Sequence, residues 1–318
     1  MNLGNPERPV GGLSVRTPPG VELRPLSRDD VSVALGLLRE LYELPTTDAG
    51  AHRPRYDAMI ASVDAAPYLA LADGEPAGIV IFRFRRRLGF ARFQGWLSDL
   101  YVRPAFRARG IGRALVQACI EEWRLRQGLS IMLETGVSNA PARGLYESVG
   151  FVESGKHFQL RPIVVRGVPA PPGVEIRLMT VEDFEPVTRL LGELGVPVPS
   201  DERVDAVRRT FVDHLRRAET ASRVAVLEDS VIGVATAELR EPFFTLAPQA
   251  WIPELVVTDQ ARDQGIGVAL LDSALASAAA AGAYACVLES GAQRHAAHRL
   301  YAAAGFAEVG AFYSYPGH

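Results

Sequence analysis

Arg107-Ala108-Arg109-Gly110-Ile111-Gly112 recurs 155 residues later as Arg262-Asp263-Gln264-Gly265-Ile266-Gly267. Each copy follows a short apolar segment (Leu100-Tyr101-Val102; Leu255-Val256-Val257) and opens a stretch with apolar residues at helical spacing. Arg-x-x-Gly-x-Gly between a strand and a helix suits a phosphate. The glycines let the backbone turn tightly and approach a ligand, and the following helix offers free N–H groups and the positive end of its dipole. Two copies predict two nucleotide-cofactor folds in one polypeptide. A Rossmann site is excluded, because its third small residue is Leu115 in one copy and Leu270 in the other. A Gly-Lys-Ser/Thr phosphate loop is excluded too: Lys156 is the chain's single lysine.

The elements that must carry these loops also come twice. Pro18-Pro19-Gly20-Val21-Glu22-Leu23-Arg24 matches Pro171-Pro172-Gly173-Val174-Glu175-Ile176-Arg177; Trp96 matches Trp251, and Leu145-Tyr146 before Gly150-Phe151 matches Leu300-Tyr301 before Gly305-Phe306. The chain of 318 residues therefore reads as a tail (1–20), a first unit (21–162), a Pro/Gly-rich linker (163–173) and a second unit (174–318). Strands are expected at Val21–Pro25, Tyr68–Ala72, Gly78–Phe84 and Trp96–Val102, and again at Val174–Leu178, Arg223–Leu227, Val231–Leu239 and Trp251–Val257. Helical segments at Arg28–Leu44 and Arg55–Asp64 are answered by Val181–Leu194 and Asp201–Arg217, with Ser27 and Thr180 as N-caps. After each loop helix come a buried strand, a short helix ending Tyr-x-x-x-Gly-Phe, and two closing strands. The fold class is α+β: two tandem domains, each a mixed, largely antiparallel sheet flanked by helices.

Each unit resembles a GNAT-superfamily N-acetyltransferase over nearly its full length. The family's Arg/Gln-x-x-Gly-x-Gly/Ala signature is matched by Arg107, Gly110 and Gly112 and by Arg262, Gly265 and Gly267. Its downstream Asn-x-x-Ala-x-x-Leu-Tyr helix is matched by Asn139, Ala142, Leu145 and Tyr146, whereas the second unit has Arg294 in place of the asparagine. The resemblance implies acetyl-CoA as cofactor and direct acetyl transfer to an amine. It implies that Asp99 and Glu254, on the strand before each loop, serve as general bases, and that Tyr146 and Tyr301 protonate the departing thiolate. The backbone of Leu100, Tyr101 and Val102, and of Leu255–Val257 in the second unit, would hold the thioester oxygen where the strand splays from its neighbour. Arg107, Ala108, Arg109, Gly110, Ile111, Gly112 and Arg113, and Arg262, Gly265, Ile266 and Gly267, would hold the pyrophosphate. Glu134 and Glu289, which end the next strand, are given a structural role.

Charge breaks the symmetry. The first loop has Arg103, Arg107, Arg109 and Arg113 and no acid, whereas the second sets Arg262 against Asp259 and Asp263. The first unit is therefore expected to bind the polyanionic cofactor more tightly, with Asn139 adding to that preference. Acceptor choice is expected from Glu43–Arg53 and Gly195–Arg203. Arg83, Arg85, Arg86, Arg87 and Arg92 surround a hairpin tip at Leu88-Gly89 that is expected to be solvated. The tandem layout also resembles mycothiol synthase, which implies a cysteinyl sugar amine as an alternative acceptor. A non-catalytic acyl-CoA-binding regulatory protein is the alternative of another class; the loop, carboxylate and tyrosine kept in both units argue against it.

The remaining composition excludes more than it adds. A net charge of −3 does not suit a protein held to nucleic acid by bulk charge. Cys119 and Cys286 have no motif partners, so a reducing cytoplasm is expected and a disulfide or zinc framework is not. His295 and His298 lack a third ligand, so no metal is expected. The alanine-rich run near Ala274–Ala285 is interrupted by Ser277 and Gly282 and reads as a core helix, not a membrane span. Monomer and homodimer both remain open.

Overall fold

The computed structural model describes residues 15–45, 48–217 and 220–316. The first unit contains β1 (Val21–Pro25), α1 (Val31–Tyr42), α2 (Ala49–Ala61), β2 (Tyr68–Ala72), β3 (Glu75–Arg85), β4 (Gln94–Val102), α3 (Ile111–Leu125), β5 (Ser130–Thr135), α4 (Ala140–Ser148) and β6 (Val152–Leu160). The second contains β7 (Val174–Leu178), α5 (Phe184–Glu193), α6 (Asp201–Arg216), β8 (Arg223–Leu227), β9 (Ser230–Ala235), β10 (Glu238–Arg240), β11 (Gln249–Trp251), β12 (Leu255–Val257), α7 (Ile266–Ala280), β13 (Ala285–Gly291), α8 (His295–Ala303) and β14 (Ala307–Pro316).

Local chemistry explains the starts of the helices. The Ser27 hydroxyl donates to Asp30 at 2.7 Å, Asp30 also accepts from the Ser27 N–H, and Arg24 clamps the same carboxylate. Thr180, Asp183 and Arg177 repeat the device. Val31, Ala34, Leu35, Leu37 and Leu38 give α1 one buried stripe. No helix of the described residues is long and apolar enough to cross a membrane.

The closing strands depart from expectation. Each unit has one, not two, and each passes to the other unit. The larger sheet runs β1-β2-β3-β4-β5-β14-β6-β13-β11-β10, and β12-β9-β8-β7 form a separate four-stranded sheet. β14 therefore lies between β5 and β6 of the first unit, while β6 pairs with β13 of the second. Gly155 and Gly310, mates in the repeat, let these strands come close. A Cβ on Gly155 would stand 2.2 Å from the Ser290 carbonyl oxygen, and one on Gly310 would stand 2.5 Å from that of Thr135.

The cores follow the strands across. Ala311 and Tyr313 enter the core under α3, while Phe158 and Leu160 enter the core under α7. The loops after β3 and β10 also trade places. Leu88 is buried among Phe184, Leu191 and Val196 of the second unit, and Phe243 among Leu38, Tyr56 and Leu69 of the first. The hairpin at Leu88-Gly89 is thus a clamp between units, not a solvated tip; Leu88 is too apolar to leave water-facing when an apolar surface lies within reach.

Of the tail, residues 1–14 lie outside the described residues. Residues 15–20 are held: Val15 packs on the first core, and the Asp73 N–H donates to the Gly20 carbonyl at 2.9 Å. The 163–173 segment carries no helix or strand, but the N–H groups of Arg166 and Val168 both donate to buried Asp272 of α7 at 2.8 Å.

Candidate active site

The parallel register of β4 with β5 ends at Leu97↔Leu133. Beyond it, Ser98 is a bulge: Ile81 faces Asp99 and Phe82 faces Leu97, leaving Ser98 unopposed on β3. From there Asp99, Leu100, Tyr101 and Val102 run on along β3 alone, splayed from β5. In the second unit Pro253 stands at the matching position, and the strand divides there into β11 and β12. Glu254 lies in that gap, and Leu255 and Val257 continue on β12 against β9.

The loops are built alike. Gly110 (φ +81°) and Gly265 (φ +83°) turn the chain into α3 and α7 through a left-handed conformation that favours glycine. Ala108 and Asp263 precede them with φ of 59° and 60°. Gly112 and Gly267 serve packing rather than ligand approach: a Cβ on either would meet Leu145 or Leu300 at 3.1 Å. Arg107 and Arg262 each donate from Nε to the last strand carbonyl, Val102 or Val257, at 3.0 and 3.1 Å. Ile111 and Ile266 begin the helices, whose first N–H groups have no intrahelical acceptor.

The loop cations differ as their neighbours do. Arg113 hydrogen-bonds to Ser148 and Arg107 to the Val102 carbonyl, and neither pairs with an acid among the described residues. Arg103 and Arg109 pair with Glu40 and Asp73. In the second unit Arg262 is shared between Asp259 at 2.5 Å and Glu193 at 3.5 Å. Asn139 caps α4, its Oδ1 accepting from the Ala142 N–H at 3.3 Å, whereas Arg294 donates to the Leu194 carbonyl. A polyanionic group thus fits the mouth of α3: free helix amides, unneutralised arginines and a splayed strand converge there.

The two carboxylates have opposite surroundings. Asp99 lines a cavity of about 1080 Å³ that both units enclose, together with Tyr42, Arg83 and Trp96 of the first and Arg240, Phe244 and Trp251 of the second. It is 6% exposed. Burial raises its pKa above the usual carboxylate range, against hydrogen bonds from the Ser98 and Tyr42 hydroxyls at 2.6 Å and the nearby charge of Arg83. Glu254 is 1% exposed and does not line that cavity. Arg87 of the first unit's hairpin binds it at 2.8 Å, and the Thr236 hydroxyl donates to its other oxygen.

Tyr146 and Tyr301 are buried in α4 and α8, and neither hydroxyl has a hydrogen-bond partner among the described residues. Burial, then Cys119, Glu134 and Asp99, push the Tyr146 hydroxyl well up; burial pushes Tyr301 up to about 12. Both tyrosines keep their protons at neutral pH. Both cysteines are free and buried, and burial holds the Cys286 thiol up at about 12, unsuited to nucleophilic work.

A cluster at the junction lies partly beyond sequence reasoning. Glu134 and Glu289 accept from the indole N–H groups of Trp96 and Trp251 at 2.9 and 2.8 Å, and Arg85 and Arg240 lie over the Trp251 ring at 4.1 and 3.8 Å. Burial and the adjacent Glu289 charge raise the Glu134 pKa. With His157, these carboxylates offer ligand atoms within 4.8 Å of one another. Arg85 and Arg240 already supply two positive charges to them, which leaves little call for a metal cation. Arg240 was readable as the mate of Arg85 at the 155-residue offset. Tyr42, Phe243 and Phe244 carried no such signal. The acceptor segment Glu43–Arg53 contributes Leu44 to the cavity, with Thr46 and Thr47 outside the described residues; of Gly195–Arg203, none lines it.

The profile of the Acetyltransferase (GNAT) family matches residues 36–151 and 187–306. The [ribosomal protein bS18]-alanine N-acetyltransferase of Salmonella typhimurium is 43% identical over 58 residues, which is 18% of this chain and 39% of that enzyme. Among solved structures, a GCN5-related N-acetyltransferase from Sphaerobacter thermophilus aligns with a TM-score of 0.62 at 20% identity, covering 95% of this chain and 98% of that one. A tandem GNAT protein from the clavulanic acid biosynthesis pathway aligns at 0.60 and 18% identity, covering 92% and 98%.

Proposed function

This chain belongs to the GNAT acetyltransferase family, and on that premise we propose that its first unit transfers an acetyl group from acetyl-CoA to a primary amine held in the cavity between the units. The observation that carries the preference for the first unit is that Asp99 opens on that cavity while Glu254 is closed by Arg87. When bound, acetyl-CoA supplies the activated acetyl thioester. Asp99 takes the proton from the incoming ammonium, because only the neutral amine attacks. Its raised pKa suits that task better than an ordinary carboxylate would. The backbone of Leu100, Tyr101 and Val102 is free of β5 to hold a developing oxyanion. Tyr146 holds its proton at Oη for a thiolate of pKa roughly 8.5. Arg107, Arg113 and the first amides of α3 bind the pyrophosphate, with Ala108, Arg109, Gly110, Ile111, Gly112 and the amide nitrogen of Asn139 around it.

The relatives' names support an α-amino group as the acceptor, although the match spans 39% of the bS18-alanine enzyme. Titration calorimetry with CoA tests the site preference. Gly110→Asp sets a strained φ and a negative charge against the phosphates and is expected to abolish tight binding; Gly265→Asp is expected to leave it. The reverse pattern would move the working site to the second unit.

A further inference from the structure

Arg83 extends from β3, opposite Trp96 and two residues beyond the partner of Asp99. It lines the same cavity as Asp99, and no side-chain hydrogen bond or ion pair holds it among the described residues. Arg85 and Arg240 share the cavity and each keep one buried guanidinium nitrogen, Nη1 and Nη2 respectively, without a hydrogen-bond partner among the described residues, but both are held against indole rings. Arg85 donates to Gln94 and lies over an indole, and Arg240 lies over both Trp96 and Trp251 at 4.0 and 3.8 Å. Asp99 already accepts from Tyr42 and Ser98, and Glu241, the other acid whose charge reaches Arg83, pairs with Arg55 at 3.4 Å.

A guanidinium presents five donors in a flat fork. Arg83 is half-buried and faces the cavity, where a ligand carboxylate would satisfy two of its donors at once. Burial lowers its pKa, against the nearby charges of Asp99 and Glu241. The repeat isolates this residue. At the matching position the second unit has Glu238, tied to His214 at 3.3 Å. Arg161, Arg217 and Arg240 line the cavity too, but Arg83 is the arginine whose charge reaches Asp99, and a cation beside a base suits a molecule with an ammonium and an anion.

We infer that the acceptor of the first unit carries a carboxylate as well as its amine, and that Arg83 binds that carboxylate, so that free amino acids rather than peptide N-termini are its substrate class. This rests on the proposal that the first unit acetylates an amine in this cavity. Arg83 is then the residue that selects the acceptor, and Asp99 the one that activates it.

The test uses the full chain saturated with CoA and measures binding of product-like acids by calorimetry. N-acetylglycine, N-acetyl-β-alanine and N-acetyl-4-aminobutyrate are each compared with the corresponding carboxamide. At least one acid is expected to bind about 10–100-fold more tightly than its amide. Arg83→Met is expected to erase that difference without changing CoA affinity, and Arg83→Lys to restore part of it. Equal binding of acid and amide, binding of neither, or a preference that survives Arg83→Met overturns the inference. Thiol release with the matching amino acids and amino amides separates the two proposals. An acid preference that depends on Arg83, without any thiol release, would sink the catalytic reading and leave the anion site standing. An equal loss of turnover on acids and amides in Arg83→Met would mean that the residue serves Asp99 alone, and would remove the anion site.

Discussion

Asp99 and Glu254 stand at the same step of a repeat, on the same side of matched loops, and differ in what the other unit lays against them. Beside Asp99 the second unit's loop sets Phe244, which stacks on Tyr42 with ring centroids 4.6 Å apart, and Tyr42 in turn donates to Asp99. Over Glu254 the first unit's hairpin sets Arg87. An aromatic wall leaves the buried carboxylate without an ion pair among the described residues, with only the charge of Arg83 nearby, and able to take a proton. An arginine neutralises the carboxylate and fills the space an amine would need. Duplicated scaffolds can therefore hold different electrostatics at matched carboxylates, because neighbours within each unit differ and each site is also finished by its sister.

The sharpest way to break this comparison is to neutralise both carboxylates in turn. Asp99→Asn is expected to cut thiol release from acetyl-CoA by about 10²–10⁴-fold, and Glu254→Gln to change it less than about threefold, since a base matters only where an amine can reach it. Stability should move the other way. A carboxyl whose folded pKa is raised stabilises the fold fully below its unfolded pKa, and loses that contribution as pH rises through the raised value. Asp99→Asn should therefore not lower the melting temperature at neutral pH. Equal losses of activity in the two variants would erase the distinction between the sites.

Arg87→Met attacks the other side of the comparison. It leaves Glu254 buried without its cation and is expected to cost about 3 kcal/mol in denaturant unfolding, with first-unit turnover retained. Next in size, Tyr146→Phe should lower kcat by about 10²-fold and Tyr301→Phe should leave it nearly unchanged. The smallest effect is a shift of shape. Tyr42→Phe removes a hydrogen bond that lowers the Asp99 pKa, so the acid limb of the pH–rate profile should move up by about one unit. A limb that stays in place would detach Asp99 from the profile.

Much of this was legible because repetition supplies a second reading of every residue. The loop, its φ-positive glycine, the Ser27 and Thr180 caps and six short strands follow from local chemistry. Leu88 shows why the rest was not. Between five arginines and beside a glycine it reads as an exposed tip, and only a surface about 100 residues downstream buries it. The strand exchange is hidden for a related reason. A repeat fixes which residues correspond, but β6 closes against β13 or β5 with the same alternation of faces, so periodicity cannot choose between them. Arg87 and Glu254 were each visible as charges; their meeting was not, since it depends on that crossing.

The exchanged strands also have a consequence for the order in which this molecule can be made. β14 ends at Pro316 and is the wedge between β5 and β6, pairing Phe312 with Glu134. Until β14 has been synthesised, the first half stands with an open seam and unpaired edges, however long ago its own chain emerged. β4 and the loop before α3 are then in hand, but the sheet behind them is not. Contacts of such sequence separation form slowly, and activity of the first unit should appear only after β14 has emerged.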